Sequence, residues 1–350
     1  MTRGAIVAPV VADRLWTHRL CDHLEVAIGS PDRTLVAAGG LGGDGMIVDA
    51  TSGTINAEVA EHPLGILSLA WSPDSEVLAS GGQDGVVALS HRDGGRSAHR
   101  VGGWVQALAW SRDGKVLAVG AGKHLWTWHR TDDRLVDHGP QPSTITDLAW
   151  ARREPLVGLA CYGGVRWFAV AGPEPVAPGS EPTRTLDFIG SLLCLGVSPD
   201  GRWAASGNQD ATIHLWKLWD RDELEMRGYP AKITAVSWDA TSQLLASNGA
   251  EDVTVWDVSG AGPKGRTPLQ LSGHTSLVSS LAFQHRGALL ASCDGASIRL
   301  WRPRLGTRQL GQLEAEDEGF AGVRWHTDDR TLLVGGAAGR LDAWNVRRAR

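Results

Sequence analysis

The sequence has few of the residues that build a disulfide framework or a metal site. Its 350 residues include four cysteines, none of them in a CxxC pair: Cys21, Cys161, Cys194 and Cys293. The last three fall within predicted strands, where a free thiol behaves as a small apolar side chain. We therefore expect no structural disulfide and no bound zinc.

Long apolar runs and an excess of positive charge are also missing. No apolar stretch reaches the roughly 18 residues of a membrane-spanning helix, and the run 5–12 lacks a clear signal-peptide cleavage site. The net charge of −5 argues against a surface that binds a nucleic-acid duplex. The basic tail (Arg347, Arg348, Arg350) is interpreted as a solvated terminus, although it could contact an acidic partner. We expect a cytoplasmic, monomeric protein with no membrane or nucleic-acid partner.

Short catalytic and phosphate-binding motifs are absent as well. The glycine-rich stretch Gly39–Gly45 lies between strands, whereas a phosphate-binding loop leads from a strand into a helix. No serine lies in a G-x-S-x-G context, and no H-E-x-x-H motif occurs. These absences leave no motif on which to place a catalytic residue or a cofactor.

The sequence does contain an internal repeat. Eight times, a stretch like Leu69–Asp74 (LAWSPD) is followed by a run like Leu78–Gly85 (LASGGQDG) and then a short apolar strand. The residues that close the first strand recur at intervals of 39 to 47: Gly29, Trp71, Trp110, Trp150, Val197, Trp238, Phe283 and Trp325. The third strand usually ends in an aromatic residue: Trp128, Phe168, Trp216, Trp256, Trp301 and Trp344. A period of this length indicates a repeat architecture.

The units resemble those of the WD-repeat family of β-propellers, whose repeat has about 40–45 residues and four strands per blade. Only Trp256-Asp257 is a literal WD dipeptide at the end of a third strand. The resemblance implies an all-β fold, a single closed β-propeller over residues 1–350 with eight four-stranded blades. The alternative is seven blades, with the weak first unit, Leu24–Gly53, as an irregular extension. Most tryptophans are then expected to lie in the core between blades.

The two ends of the chain complement each other in this fold. Only four residues follow the last third strand, Arg340–Val346, which is too few for a fourth strand. Residues 14–20 (RLWTHRL) alternate like an edge strand and are predicted to supply the outer strand of the last blade. Such closure removes an exposed sheet edge. The predicted blade cores are residues 24–53, 66–95, 105–133, 145–174, 192–223, 233–262, 278–306 and 320–346.

In the family, a His, a Ser, an Asp and the third-strand Trp can form a buried hydrogen-bonded tetrad in each blade. No unit here has all four residues at the expected positions. The second unit offers His62, Ser80 and Asp84, with Ser90 in place of Trp. The fifth offers Ser206, Asp210 and Trp216, with Phe188 in place of His. The seventh offers His274, Ser292 and Trp301, with Asp294 one residue early.

The innermost strands of the predicted blades contain few residues that could catalyse a reaction or bind a metal. Alternate side chains of a strand point to opposite sides, so two sets of residues could face the central axis. The first set is Glu25, Leu67, Gln106, Thr146, Leu193, Thr234, Ser279 and Ala321. The second set is Val26, Ser68, Ala107, Asp147, Cys194, Ala235, Ser280 and Gly322. Neither set contains a His and each contains one carboxylate, whereas a metal site or acid–base hydrolysis needs several converging groups. We therefore predict a protein that is not an enzyme and has no catalytic residue, cofactor or metal.

The resemblance implies that partners dock on the face formed by the loops leading into first strands and by the turns between second and third strands. The aligned loop positions are His23, Gly65, Trp104, Thr144, Ser191, Lys232, Leu277 and Gly319. The candidate partner-binding residues among them are Trp104, Lys232, Leu277, His23 and Thr144. Trp104 is the strongest candidate, because two glycines flank it and the repeat requires no aromatic there. The alternative is that Trp104 folds onto neighbouring loops.

We predict a noncatalytic scaffold that binds a protein or peptide on this loop face. The alternative is a propeller that binds a small ligand or a metal in its central channel, as an enzyme or a sensor. The acidic group Glu316–Glu318 adds a charged sector near the last blade. The segment Ala169–Thr185, rich in Pro and Gly, is either a surface excursion or a recognition segment.

Overall fold

Nearly all of the regular structure is β-strand. A computed structural model describes residues 9–170, 181–220, 222–315 and 318–349. This part of the chain contains 30 strands and one 3-10 turn, Pro303–Leu305. Within it no helix is long and apolar enough to cross a membrane. The strands assemble into sheets whose middle strands, such as Leu35–Gly40 and Val77–Gly82, are buried along their whole length.

Five sheets contain four antiparallel strands that follow one another in the chain, joined by hairpins. The first is β2 (Leu24–Gly29), β3 (Leu35–Gly40), β4 (Gly45–Asp49) and β5 (Ile55–Glu58). The second sheet is β6 (Ile66–Trp71), β7 (Val77–Gly82), β8 (Val86–His91) and β9 (Arg96–Arg100). The third is β10 (Val105–Trp110), β11 (Val116–Ala121), β12 (His124–His129) and β13 (Arg134–Pro140). The fourth of these sheets is β20 (Val236–Trp238), β21 (Leu244–Ser247), β22 (Val253–Asp257) and β23 (Leu269–Leu271). The fifth is β24 (Ser280–Phe283), β25 (Leu290–Cys293), β26 (Ser297–Trp301) and β27 (Gln309–Glu314).

A six-stranded sheet joins the predicted fourth and fifth units. Its strands in order are β14 (Asp147–Trp150), β15 (Leu156–Ala169), β16 (Arg184–Val197), β17 (Trp203–Asn208), β18 (Ile213–Lys217) and β19 (Glu223–Met226). The first half of β15 pairs with β14 and its second half pairs with β16. The second half of β16 then pairs with β17, so this strand belongs to both units.

The predicted count of eight separate four-stranded blades is therefore wrong. The described residues form seven sheets, so with each sheet counted as one blade the propeller has seven blades. The physical reason is that no loop interrupts the 14 residues of β16, where hydrogen bonding passes from β15 to β17 between Ser191 and Leu192. The first unit is not the irregular extension of the alternative prediction, because β2–β5 form a regular sheet.

The N-terminal strand closes the ring, as the sequence predicts. The last sheet has the order β1-β30-β29-β28, which joins β1 (Val10–Arg19) to β28 (Phe320–Trp325), β29 (Thr331–Gly336) and β30 (Arg340–Arg348). β1 pairs with β30 over nine residue pairs, with one irregularity between Arg14 and Trp16. Trp16 is buried and its Nε1 donates to the Ala50 carbonyl at 3.0 Å, which also ties β1 to the first sheet.

Neighbouring sheets pack closely because an aliphatic side chain near the start of one inner strand lies over a glycine of the preceding sheet. A Cβ on Gly81 would lie 2.4 Å from the Val105 side chain, and one on Gly120 would lie 2.8 Å from Ile145. The equivalent pairs are Gly39 with Ile66, Gly207 with Ile233 and Gly335 with Leu24. Any larger residue at these glycines would push the sheets apart.

Tryptophans at the ends of inner strands also connect neighbouring sheets. Trp110 Nε1 donates to the Ala70 carbonyl of the preceding sheet at 3.1 Å. The same bond recurs from Trp150 to Ala109, from Trp238 to Gly196 and from Trp325 to Ala282. These repeated residues therefore have a structural role.

Candidate functional site

The loops that lead into the inner strands and the turns between second and third strands lie together on one face of the propeller, here called the loop face. In five units, the turn donates a backbone N–H to the carbonyl of the aligned loop residue. These bonds run from Leu41 to His23, Gln83 to Gly65, Gly122 to Trp104, Gln209 to Ser191 and Ala337 to Gly319, at 2.8–3.1 Å. The repeated bond fixes the height of each loop above its sheet.

The five candidate partner-binding residues all lie on this face, but they do not form one patch. Trp104 and Leu277 are each 54% exposed, and Thr144 and Lys232 are also exposed. His23 is half-buried, with Nδ1 3.1 Å from the Ala337 carbonyl. Trp104 and Thr144 belong to neighbouring units, as do Lys232 and Leu277, whereas His23 lies at the junction of the first and last sheets. The structure thus brings them together only in pairs.

Trp104 projects into solvent instead of folding onto neighbouring loops. It is the only one of the 16 tryptophans, all of them in the described part of the chain, that is exposed. Gly102 and Gly103 precede it with φ values of 70° and 77°, a left-handed conformation that favours glycine. A backbone of two such glycines turns the loop outward and leaves the indole without a covering side chain.

Three further apolar side chains are exposed near Trp104 that the sequence analysis missed. Leu64 is 61% exposed, Tyr162 49% and Ile189 93%. Together with Trp104 they form what we call the apolar sector. Leu64 precedes an aligned loop glycine, and Tyr162 is one of only two tyrosines in the chain, which are the signals that could have identified these two. No comparable signal marks Ile189.

Backbone contacts connect the four residues of the apolar sector across adjacent units. The connecting hydrogen bonds run from Gln83 to Gly65, Gly102 to Gly85, Gly122 to Trp104, Ile145 to Gly122 and Tyr162 to the Ser143 hydroxyl, at 2.7–3.2 Å. Tyr162 then pairs with Ser191 of β16, close to Ile189. These bonds therefore link the loops that carry the four side chains, from the second unit to the fifth.

The charged groups near the last blade serve mainly to hold the structure together. Glu318 accepts a hydrogen bond from Arg19 at 2.7 Å, while Glu316 and Asp317 lie outside the described residues. Arg347 pairs with Asp13 at 2.8 Å, and Arg350 lies outside the described residues. Most of the segment 169–185 (residues 171–180) also lies outside them.

The tetrad positions differ between units. In the seventh unit Trp301 Nε1 donates to Ser292 Oγ at 2.8 Å, His274 Nε2 lies 2.7 Å from the same oxygen, and His274 Nδ1 lies 3.3 Å from Asp294. All four residues are thus linked, although Asp294 stands one residue early in sequence. The reason is that Asp294 also accepts from the Ser297 backbone N–H at 2.7 Å, which folds the shortened turn back toward His274.

The second unit links three tetrad residues and the fifth links none. His62 lies 2.9 Å from Ser80 Oγ and 3.1 Å from Asp84 Oδ1, while Ser90 Oγ has no hydrogen-bond partner in the described structure. In the fifth unit Ser206 donates to Asn208, Asp210 accepts from Thr212, and Trp216 Nε1 lacks a partner among the described residues.

A cavity of about 1020 Å³, here called the central channel, is lined by residues of the inner strands β2, β14, β16, β20, β24 and β28. Asp147, on β14, lines it, and both of its oxygens accept backbone hydrogen bonds, from Leu148 and Leu195 at 2.8 Å each. Burial raises the pKa of Asp147 to about 6 and that of the neighbouring Cys194 thiol to about 12. Across the part of the chain that the structure describes, no group of three or more His, Cys, Asp or Glu could hold a metal.

Arg324, on β28, also lines the channel and was missed in the sequence analysis. It lies two residues after Gly322, which belongs to the second set of residues that could face the axis. The other units have small or aliphatic residues at this position: Ile28, Ala70, Ala109, Ala149, Gly196, Ser237 and Ala282. Arg324 is the one long charged residue at a position where the other units have small or aliphatic residues. A comparison of the units two residues further along the inner strands could have identified it.

The raised pKa of Asp147 predicts a pH-dependent stability. The folded state binds this proton more tightly than the unfolded chain does. The contribution of Asp147 to the free energy of unfolding therefore falls as pH rises from about 4 through the folded-state pKa of about 6, and is constant above about pH 7. We expect the stability of wild type relative to Asp147→Asn to fall by about 2 kcal/mol over this range. Urea unfolding at pH 4.5 to 7.5 measures it, and a difference that does not change with pH would contradict the assignment.

A protein-family model described as "WD domain, G-beta repeat" matches three stretches of the chain, residues 53–89, 180–217 and 265–302. These matches overlap the second, fifth and seventh units, the ones that carry most of the tetrad positions.

Several curated proteins are similar to part of the chain. A subunit of chromatin assembly factor 1 from Gallus gallus is 26% identical over 190 residues, which cover 42% of this chain and 33% of that protein. Coronin-7 of Homo sapiens is 31% identical over 184 residues, covering 48% of this chain and 19% of that protein. The matched region thus spans a third or less of each relative.

Among solved structures, the chain is similar to the crystal structure of the computationally designed Ika8 protein. The TM-score is 0.77 with 19% sequence identity, over 95% of this chain and 99% of that chain. At this identity the likeness supports the fold alone.

Proposed function

Because the chain belongs to the WD40-repeat β-propeller family, we propose that it is a noncatalytic scaffold that binds a protein or peptide partner on its loop face. The family resemblance noted in the sequence is confirmed by the matching repeats. The observation that carries the proposal is the apolar sector, in which Leu64, Trp104, Tyr162 and Ile189 are exposed on hydrogen-bonded loops of successive units. A relative named as a subunit of an assembly factor supports a role in complexes.

Exposed apolar side chains on a rigid surface favour binding. Monomeric proteins rarely expose contiguous apolar patches, and patches rimmed by polar residues typically mark interaction sites. The loops of the apolar sector are held by backbone hydrogen bonds, so a partner would order few additional groups on binding. Trp and Tyr are also the residues enriched at the centres of protein interfaces, where they lose the most accessible surface.

The position of the apolar sector indicates the shape of the partner segment. The sector follows an arc over adjacent units on the loop face, which suits an extended segment with several apolar side chains better than a single inserted residue. Leu277 lies on the same face outside this arc and is a candidate second contact. Lys232, in the unit before that of Leu277, would add a charge contact at the rim of the interface. Charged residues there change the association rate more than the affinity.

The proposal is tested by substituting Trp104. We expect Trp104→Ala to weaken partner capture by at least about 30-fold, or roughly 2 kcal/mol, because the indole would be buried at the interface. The melting temperature should stay near wild type, since the side chain has few contacts in the free protein. Affinity purification from the native organism with quantitative mass spectrometry, followed by titration of the recovered partner, measures the effect.

Leu305→Ser provides a matched control. Leu305 is 49% exposed but lies in the 3-10 turn on the face opposite the loop face. Its substitution should leave partner capture unchanged. Equal loss for Leu305→Ser and Trp104→Ala, or no loss for Trp104→Ala combined with Lys232→Glu, would move the interface away from the loop face.

A further inference from the structure

Two opposite charges lie on opposite walls of the central channel. Asp147 is on β14, which packs between β10 and β16, and Arg324 is on β28, which packs between β24 and β2. Both line the channel cavity of about 1020 Å³. Glu25 and His23 lie near its mouth on the loop face, and Arg152 and His285 near the other mouth. Asp147 and Arg324 are thus the charged groups in its interior, among the residues that the structure describes.

The guanidinium of Arg324 has no partner in the described structure. Among the described residues, neither a hydrogen bond nor an ion pair joins a partner to Arg324, although five N–H groups are available. The surrounding ring of small residues leaves space in front of it and contributes no acceptor side chain except Ser237. The Arg324 side chain is exposed to the solvent that fills the channel, yet the protein atoms around it lower its pKa, while the negative charge of Asp147 opposes this change.

Asp147 is held in place but keeps acceptor capacity. Each carboxylate oxygen accepts one backbone N–H, from Leu148 or Leu195, which fixes the orientation of the group. A carboxylate oxygen can accept a second bond, so both oxygens remain available to a donor in the channel. Asp147 and Arg324 influence each other electrostatically across the lumen, but they do not form an ion pair.

We propose that the channel binds a small zwitterion, an amino acid or a dipeptide, with its carboxylate on Arg324 and its ammonium group on Asp147. A guanidinium binds a carboxylate through two parallel hydrogen bonds, and such charge-assisted bonds are stronger than hydrogen bonds between neutral groups. A simple anion on Arg324 would be repelled by Asp147, and a simple cation on Asp147 would be repelled by Arg324. A ligand that carries both charges satisfies both groups, and the cavity has the volume typical of small-molecule sites.

Thermal shift and isothermal titration calorimetry test this inference, with each of the 20 amino acids and glycylglycine as probes. We expect at least one probe to raise the melting temperature of the wild-type protein by several degrees at millimolar concentration. Arg324→Gln and Asp147→Asn should each weaken its binding at least 10-fold. Arg324→Lys should keep part of the affinity, because it retains the charge but loses the bidentate geometry.

Arg330→Gln is the matched control, since Arg330 is an exposed arginine that immediately precedes β29 of the same sheet and lies outside the channel. It should bind the probe like wild type. The inference is overturned if no probe binds wild type, or if Arg324→Gln binds as tightly as wild type. Binding of inorganic phosphate that depends on Arg324 but not on Asp147, without binding of any zwitterion, would also overturn it in favour of a simple anion site.

The two proposals for this protein fail separately. Trp104→Ala should leave binding of the amino acid or dipeptide unchanged, because Trp104 does not line the channel. Arg324→Gln should leave partner capture on the loop face unchanged for the converse reason.

Discussion

Removal of residues 1–19 is expected to convert the protein into aggregates, or to lower its melting temperature by at least about 10 °C. The deletion removes β1 and with it nine residue pairs to β30. It also uncovers Trp344, over which the Arg14 guanidinium lies at 4.7 Å, and breaks the hydrogen bond from Trp16 to Ala50. The exposed edge of β30 would then be free to pair with other chains.

Deletion of residues 1–8 alone is the matched control for this experiment. It leaves β1 complete, because the strand begins at Val10. Size-exclusion chromatography with light scattering and differential scanning calorimetry distinguish the two truncations. If both remain monodisperse with the melting temperature of the full chain, ring closure by β1 does not contribute to stability.

Trp301→Ala is expected to lower the free energy of unfolding by about 3–5 kcal/mol. Trp301 is completely buried, and its Nε1 donates to Ser292 Oγ at 2.8 Å in the tetrad of the seventh unit. The substitution leaves a cavity in the cluster that also contains Phe283 and Leu290, and it removes one partner of a buried hydroxyl. Denaturant unfolding of the wild type and of Trp301→Ala measures the loss. The dependence of the free energy of unfolding on denaturant concentration should be the same for both, which excludes a change in cooperativity.

Two further variants help to separate the effect of the lost side-chain volume of Trp301 from the effect of its lost hydrogen bond. Trp301→Phe keeps most of the buried ring and removes only the Nε1 donor, so we expect a loss of about 1–2 kcal/mol. Trp104→Ala removes an exposed ring and should change stability by less than about 0.5 kcal/mol. A loss for Trp301→Ala no larger than that for Trp104→Ala would show that the sheet of the seventh unit does not depend on its tetrad.

The repeating parts of this fold were predictable from sequence because they rest on local, periodic signals. Trp110 and Trp150 recur at the repeat interval, and the structure shows why, since each donates a hydrogen bond to the preceding sheet. The closing strand was predictable from its alternation and from the lack of a fourth strand at the other end. Its start at Val10 was not, because residues 10–13 (VVAD) do not share the alternation of residues 14–20.

The number of blades could not be predicted, because it depends on a connection and not on the repeat. Val170 N donates to the Pro155 carbonyl at 3.1 Å, so the two ends of β15 meet and the strand folds back through Gly163 and Gly164. The second half of β15 pairs with the first half of β16, and β16 then continues without a loop to pair with β17. Nothing in the local composition distinguishes this from a connection that separates two sheets.

The candidate sites were predictable only in part, for a similar reason. Trp104 was identifiable because it departs from the repeat and has glycine neighbours. Ile189 was not, since its exposure depends on its place in the middle of β16, just before the pairing passes from β15 to β17. Arg324 and Asp147 lie more than 170 positions apart in the sequence, so their positions on opposite walls of the channel follow only from the closed ring.

The closing strand also has a consequence for protein synthesis. Arg19 pairs with Arg340, so β1 leaves the ribosome before every other described strand and must wait for its partner. At about 5–20 residues per second, the roughly 320 residues between them take on the order of 15–65 s to translate. Asp13, Arg14 and Arg19 place charges along β1, and Trp16 is its only buried residue in the final ring. This composition keeps the nascent strand hydrated, and therefore less prone to pair with neighbouring nascent chains, until the last blade emerges.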